Sequence, residues 1–320
     1  MSQERGRRLA VVAALLLVTA VFIAIQFNRL GLTSPAGLPA DAPPAGVDLV
    51  YVRDATNPRG LVAYDWSGSR RGTLTLPTWV EIARLRPAPN GSAFMLDPAT
   101  PGDYAAYFDR GGRILYETDD PAFSSQVWAD DSTHVCVLAD ATNGALLITR
   151  LPGRRDRTAQ TRLASGYAMA GCSLRTDTAV LTSDNDLELL TLSTGHLIRA
   201  VSSTASVVVS GDAQYIALSS NGVAPMAIYK LPDLSEPVMR LDAREQPLAF
   251  SGDDSVLLAT ADQGQTLEAI TWRTGKAAWS HAAGATADLV VARPAAGDFA
   301  VYLSSGPVIF RRDGNVAEFR

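Results

Sequence analysis

From Asp48 to the C-terminus the chain repeats itself about every 42 residues, and that period restricts it to a few architectures. An aspartate closes a short apolar run at Asp54, Asp97, Asp140, Asp184 and Asp262, while Ser220 and Ser305 hold the same place in two further units. A glycine-centred turn recurs at Gly68, Gly112, Gly153, Gly195, Gly275 and Gly314, with Pro232-Asp233-Leu234-Ser235 filling the gap. A tight polar turn recurs at Asn90-Gly91, Asp130-Asp131, Thr176-Asp177, Gly211-Asp212, Gly252-Asp253 and Gly297-Asp298. Between the turns lie runs such as LVYVR, SAFML and HVCVL. Short β-branched and aromatic runs with regular turn signals indicate all-β structure. No segment after residue 30 holds a 3.6-residue period across about ten residues without Gly, Pro or a polar cluster.

Four strands and three turns in such a unit describe a β-propeller blade. The strands are labelled A to D from the centre outward. The polar turn joins A to B, the aspartate-led loop joins B to C, and the glycine turn joins C to D. Seven C–D turns against six A–B turns predict a seven-bladed β-propeller whose first blade lacks its A strand; six or eight blades remain alternatives. A pair of β-sandwiches is the rival architecture, although it does not require the same turn chemistry in every unit. The last strand, NVAEF, is a D strand, so no exchange of strands at ring closure is visible. Stacked blades bury both faces of each sheet, which fits 47 % apolar residues in a chain without helices here.

The first 47 residues read differently. Arg5, Arg7 and Arg8 precede an uncharged run from Leu9 to Asn28, long enough to span the roughly 30 Å hydrocarbon layer. The expected organisation is a cytoplasmic N-terminus (1–8), a transmembrane signal-anchor helix (9–28), a Pro/Ala/Gly-rich linker (29–47) and the propeller (48–320). A cleaved signal peptide is the alternative, but the run exceeds an ordinary signal core and the nearest Ala-x-Ala is Ala40-Asp41-Ala42. The arginine bias places the N-terminus in the cytoplasm and the propeller in the periplasm or outside the cell. Lys230 and Lys276 are the only lysines among 28 basic residues, a composition that suits a bacterial cell-envelope protein. The net charge of −5 argues against nucleic acid as a partner.

Residues Leu267 to Trp279 resemble the PQQ-type propeller repeat, with its Thr274-Gly275-Lys276 turn and docking Trp279. Leu187 to Ala200 resembles a degenerate copy, with Arg199 in the tryptophan position. Ser251-Gly252-Asp253-Asp254 and Ser210-Gly211-Asp212-Ala213 are similar to the hairpin of TolB-like and WD-repeat-like bacterial propellers, without its proline. The resemblance implies the fold and no particular activity, because propellers host many functions.

Sites are weighed on that frame. Asp54, Asp97, Asp140, Asp184 and Asp262 fall on one rim, joined by Asp119, Asp120, Asp242 and Asp288, and form the candidate binding rim for a basic partner. The competing reading is that aspartate ends strands because it caps turns. On the opposite face, arginines such as Arg71, Arg113, Arg157, Arg273, Arg311 and Arg312 surround the acidic A–B turns. Cys136 lies on a B strand and Cys172 on the next blade's A strand, within reach of a disulfide in an oxidising compartment; two buried free thiols are the alternative. Asp184-Asn185-Asp186-Leu187-Glu188 alternates oxygen ligands, but a hairpin tip explains it better than calcium. His134, His196 and His281 sit on different strand types, and Asn90-Gly91-Ser92 is a turn before it is a glycosylation sequon. No catalytic, cofactor-binding or metal-binding residue is assigned, and no cofactor is expected. The expected function is a membrane-anchored, extracytoplasmic propeller that binds or scaffolds an envelope protein. A propeller enzyme, quinoprotein-like or glycan-acting, and a ligand sensor using the central channel are the alternatives.

Overall fold

The computed structural model describes residues 49–319 except 55, 58, 76–84, 97–104, 110–112, 119–124, 140–144, 152–153, 162, 164–165, 184–185, 203, 221–224, 242–244, 283–286, 295 and 304–305. The apolar run Leu9–Asn28 and the Pro-rich stretch 29–47 lie outside the described residues. Among the described residues no helix is long and apolar enough to cross a membrane.

The strands assemble in chain order into seven antiparallel sheets. Blade 1 holds β1 (Leu49–Arg53), β2 (Gly60–Asp65) and β3 (Arg70–Thr75). Blade 2 holds β4 (Leu85–Pro87), β5 (Ala93–Leu96), β6 (Ala105–Asp109) and β7 (Ile114–Thr118). Blade 3 follows with β8 (Ser125–Trp128), β9 (His134–Ala139), β10 (Ala145–Arg150) and β11 (Arg154–Gln160). Blade 4 comprises β12 (Ala168–Ser173), β13 (Thr178–Thr182), β14 (Asp186–Thr191) and β15 (Leu197–Ser202). Blade 5 comprises β16 (Thr204–Val209), β17 (Tyr215–Ser220), β18 (Met226–Lys230) and β19 (Met239–Leu241). In blade 6 are β20 (Gln246–Phe250), β21 (Leu257–Ala261), β22 (Thr266–Thr271) and β23 (Lys276–Ala282). Blade 7 ends the chain with β24 (Ala287–Ala292), β25 (Phe299–Leu303), β26 (Gly306–Phe310) and β27 (Val316–Ala317). This is the seven-bladed β-propeller the repeat predicts, with three described strands in the first blade. The sandwich alternative falls, since each sheet holds one repeat.

Burial follows strand position. B strands are buried along their length, as in β21 and β25, because a neighbouring blade covers each face. The D strand β23 is exposed at six of seven positions, at the outer edge of the ring. The apolar side chains form seven clusters, one per blade interface, rather than one central core. Blades 2 and 3 share Met95, Tyr107, Val135 and Val137; blades 6 and 7 share Leu258, Leu267, Phe299 and Phe310. Trp279 stacks on Phe310 of the next blade at 5.0 Å between ring centroids, the docking contact expected of it.

The repeat period reappears as hydrogen bonds between neighbouring blades. Trp128 Nε1 donates to the Arg86 carbonyl at 2.9 Å, and the Met169 amide donates to Ser125 Oγ at 2.8 Å, across 42 and 44 residues of chain. The ring closes by packing. Val50 and Trp66 of blade 1 share a cluster with Ala300, Tyr302 and Ile309 of blade 7, and the Tyr302 hydroxyl donates to the Tyr51 carbonyl at 2.5 Å. Phe319 sets its ring edge-on to Tyr64, 4.8 Å away, and Gly68 at φ 86° lets the Glu318 carbonyl approach its turn. A side chain at Gly68 would collide with that carbonyl in a backbone conformation that favours glycine.

Candidate functional site

A–B and C–D turns share one face of the ring, and serine and aspartate build the A–B turns. In blade 6, Ser251 Oγ donates to Asp253 Oδ1 at 2.6 Å and accepts from the Val256 amide at 3.0 Å. In blade 5, Ser210 does the same with Asp212 at 2.8 Å and the Tyr215 amide at 2.9 Å. The Ser-Gly-Asp turns are thus local clasps in which each polar group has work inside the hairpin. Asn90 Oδ1 likewise accepts from the Ser92 amide at 2.8 Å, as a hairpin tip does.

The turns also grip one another. Asp130 of blade 3 accepts from Ser173 Oγ and the Leu174 amide of blade 4, both at 2.9 Å. The Asn90 amide of blade 2 donates to Ser132 Oγ of blade 3 at 3.1 Å. Many of the arginines on this face are engaged in the same way. Arg157 reaches Asp177 of the next blade at 3.0 Å, and Arg312 of blade 7 reaches Asp253 of blade 6 at 3.4 Å. Arg293 pairs with Asp298 at 2.9 Å, Arg113 pairs with Asp109 at 3.1 Å, and Arg71 pairs with Asp65. Burial alone would raise the Asp65 carboxyl, but donation from Ser67, Arg71 and the amides of residues 69 and 67 brings it down to about 2. The more exposed of these pairs, such as Arg157–Asp177 and Arg113–Asp109, contribute little energy singly. Their consequence is that much of the charge on this face is satisfied between turns.

One acidic pair breaks the pattern. Asp254 Oδ1 accepts the Gly211 amide of blade 5 at 3.1 Å and lies against the carboxyl group of Asp212. Burial first, and the Asp212 charge second, push the Asp254 carboxyl well above the usual carboxylate range. The sequence marks both turns, but the pairing of two carboxyls across adjacent blades appears only in space; the doubled acid Asp253-Asp254 is its one sequence trace. The sign of the pH effect follows. A carboxyl whose folded pKa is raised adds stability that is full below its unfolded pKa and is lost as pH rises through the raised value. The wild-type domain is therefore expected to lose stability between about pH 4 and neutrality from this pair, and Asp254→Asn to flatten that slope. Urea midpoints at about pH 5 and about pH 8 for both proteins check it. Equal slopes would dismiss the raised Asp254 carboxyl as the cause.

The opposite rim carries the B–C loops and the D–A connections. Asp54 and Asp262 stand there, directly after the B strands of blades 1 and 6. Asp54 Oδ1 accepts from the Thr56 amide at 2.8 Å and from Thr56 Oγ1 at 2.7 Å, and those bonds hold its carboxyl below the ordinary range. Asp262, at φ 54°, accepts from Thr266 Oγ1 at 3.0 Å. Both act as turn caps, and nothing in their geometry draws them into one site. Asp97, Asp140 and Asp184 lie outside the described residues, as do Asp119, Asp120 and Asp242.

Cys136 on β9 and Cys172 on β12 meet across the interface of blades 3 and 4, joined at a Cα–Cα distance of 6.3 Å and each only 1 % exposed. His134 is fixed between Asp131, at 2.5 Å from Nδ1, and Asp156, at 2.7 Å from Nε2. It thereby ties the A–B turn of blade 3 to that blade's D strand. His196 and His281 stand in blades 4 and 6. Among the described residues, no group of three or more His, Cys, Asp or Glu side chains is arranged to hold a metal ion.

The inner wall between blades 2 and 5 encloses a space of about 170 Å³, bordered by Arg86, Pro87, Met95, Trp128 and Ser210. A Cβ on Gly211 would lie 3.8 Å from Pro89, so the turns of blades 2 and 5 nearly touch across the ring. A second, apolar groove opens where blades 7, 1 and 2 meet, bordered by Val50, Trp66, Leu85, Pro87, Pro294 and Tyr302. Trp66 is 3 % exposed there, and among the described residues its indole nitrogen has no hydrogen-bond partner.

No family model matches the sequence, and no curated protein does. Solved structures do. A functionally unknown protein from Desulfotomaculum acetoxidans DSM 771 superposes with a TM-score of 0.59 at 10 % identity, covering 84 % of this chain and 94 % of that one. The Cps50 (Swd1) β-propeller domain from Myceliophteria thermophila superposes with a TM-score of 0.58 at 10 % identity, covering 85 % and 96 %. At that identity the likeness is one of fold alone, the β-propeller.

Proposed function

We propose that the chain is a protein-binding propeller of the cell envelope, held to the membrane by the apolar run Leu9–Asn28 and presenting its B–C and D–A loops to an envelope protein. The observation that carries this reading is the state of the A–B/C–D face among the described residues. On the A–B/C–D face, aspartates and arginines are largely engaged with one another within and between blades. Charges already paired in this way offer less to a partner, so recognition belongs to the other rim. Loops on a fixed scaffold are the usual means of diversifying a binding surface. Anchoring to the membrane plane raises the effective concentration of a co-resident partner without adding contacts. The basic N-terminal flank supports an extracytoplasmic propeller, and the proximity of Cys136 and Cys172 suits a disulfide staple in that compartment.

The test is photocrosslinking in intact cells with the full chain. A crosslinking residue is placed at Asp262 on the proposed rim or at Lys276 on the opposite face. One dominant envelope protein, captured from position 262 and not from 276, is the expected outcome. Capture from position 276 alone, or none from either with a small molecule retained in the purified protein, would move the assignment to the other face or to a ligand-binding channel.

A further inference from the structure

Among the described residues, five large apolar side chains stand well exposed: Ile114, Leu197, Ile198, Val238 and Val316, at 42 to 56 %. They are spread over four blades, yet all five occupy one latitude of the ring. Ile114 opens β7, Leu197 and Ile198 open β15, Val316 opens β27, and Val238 immediately precedes β19. Each of these is the outermost, D strand of its blade and begins at the C–D turn. The five side chains therefore ring the outer edge of the A–B/C–D face.

The rest of that edge is equally selective. The first two residues of the seven D strands read, in blade order, Arg-Arg, Ile-Leu, Arg-Arg, Leu-Ile, Met-Arg, Lys-Ala and Val-Ala. Every one of these positions is apolar or basic. The last residues of the same strands, such as Thr75, Thr118, Gln160, Ser202 and Ala282, carry no charge, so the bias belongs to one edge. The acids Asp233, Glu236 and Asp313 lie in the turns, before the strands begin. Asp233 accepts from the Ser235 amide at 2.8 Å and Asp313 from the Asn315 amide at 3.0 Å, as turn caps do. Arg155, Arg240 and Lys276 are exposed, and no ion pair holds them among the described residues. A solvated edge needs charge but no exposed Leu, Ile or Val, and a protein-binding patch gathers its apolar residues in one place. A belt that mixes aliphatic and basic side chains around a whole rim matches an extended surface, anionic at its headgroups and apolar beneath them.

We propose that this edge rests on an anionic lipid surface, with the aliphatic side chains at the boundary between headgroups and acyl chains and the basic side chains on lipid phosphates. The point of entry into the ring selects the same face. Leu49 opens β1 and pairs with Asp65, the last residue of β2, at the C–D turn of blade 1. The apolar run ends at Asn28, and about twenty residues separate it from Leu49, a reach of at most about 70 Å. The inference rests on the anchored reading above and deepens it. A propeller lying on this edge turns its B–C and D–A loops away from the bilayer, where a partner can reach them.

The test places a fluorophore on the full chain through Ile198→Cys, Val238→Cys or, on the opposite rim, Asp262→Cys. Cys136 and Cys172 are each 1 % exposed, which leaves the added thiol as the reactive one. Each labelled chain is reconstituted into phosphatidylcholine vesicles containing about 30 % phosphatidylglycerol, with a lipid spin-labelled near its headgroup as quencher. The expected result is about twofold or greater quenching at positions 198 and 238 and none at 262. Adding Arg155→Glu/Arg240→Glu/Lys276→Glu is expected to bring 198 and 238 most of the way to the value at 262, and unchanged quenching in that variant overturns the headgroup contact. Flotation of the vesicles separates this inference from the reading beneath it. A chain that does not float overturns the anchored reading and the inference together. A chain that floats while 198 and 238 remain as unquenched as 262 leaves the anchor standing and overturns the inference alone. Equal quenching at all three positions shows a ring with no preferred face and overturns it too. So does shielding of 198 and 238 that rises with protein concentration and ignores phosphatidylglycerol, which would assign the edge to a second copy of the chain.

Discussion

Truncating Trp272 to alanine is expected to destabilise the propeller by about 3–5 kcal/mol, the range for a buried aromatic cut to a methyl group. Trp272 is 3 % exposed and sits in the cluster between blades 5 and 6 with Leu257, Ile270 and Met226. Its ring lies 4.8 Å from that of Tyr215, and the Arg273 guanidinium stands 4.2 Å above its own centroid. Its N–H is bonded to the Asp254 carbonyl, so the truncation also leaves an acceptor of the A–B turn without that donor. Trp272→Phe separates the terms: it keeps most of the apolar area and loses the hydrogen bond, and should cost about 1–2 kcal/mol beyond the area lost. Urea unfolding followed by circular dichroism measures both. A loss below about 1 kcal/mol for the alanine variant would mean that the blade 5–6 interface closes over the gap, against the close packing the clusters show.

The second large effect concerns Cys136 and Cys172. An oxidised pair separated by 36 residues should add about 3–4 kcal/mol to stability through constraint of the unfolded chain. The expected observations are resistance of both thiols to alkylation in denaturant without reductant, and a fall in unfolding midpoint when reductant is added. The double replacement Cys136→Ala/Cys172→Ala should match the reduced protein to within about 1–2 kcal/mol, since each sulfur also fills a little core volume. Prompt alkylation of both residues in unreduced denatured protein would assign them to the blade 3–4 core as free thiols. It would also weaken the argument for an oxidising compartment.

The period of the turns was legible because each blade is one local unit. Its hairpins need glycine at positive φ in the C–D turn, as at Gly195, Gly275 and Gly314, and a serine or aspartate clasp in the A–B turn. Such requirements act over a few residues and leave a mark in most copies, blade 5 using Pro232-Asp233-Leu234-Ser235 in place of the glycine. Seven turns against six predicted a short first blade for the same reason, and three strands are described there. Charge was legible as placement but not as use. The sequence put arginines on one face and acids among them. It did not show that Arg312 crosses to Asp253 of another blade or that Arg157 reaches Asp177, because those partners lie 59 and 20 residues away and the reach of a long side chain leaves no periodic mark.

The sequence by itself determined the all-β class, the blade unit and the strand positions of Cys136 and Cys172, and it pointed to seven blades with six or eight left open. All four rest on hydrogen bonding and alternation between neighbours in the chain, where spacing carries the information. Only the tertiary structure decided what happens between blades. It set the two cysteines at 6.3 Å, pressed Asp254 against Asp212, and closed the ring through Tyr302 on Tyr51. It also left Trp66 buried with no partner for its N–H among the described residues. Those outcomes depend on the twist and packing of seven sheets around one axis, a sum over the whole ring that no single repeat encodes.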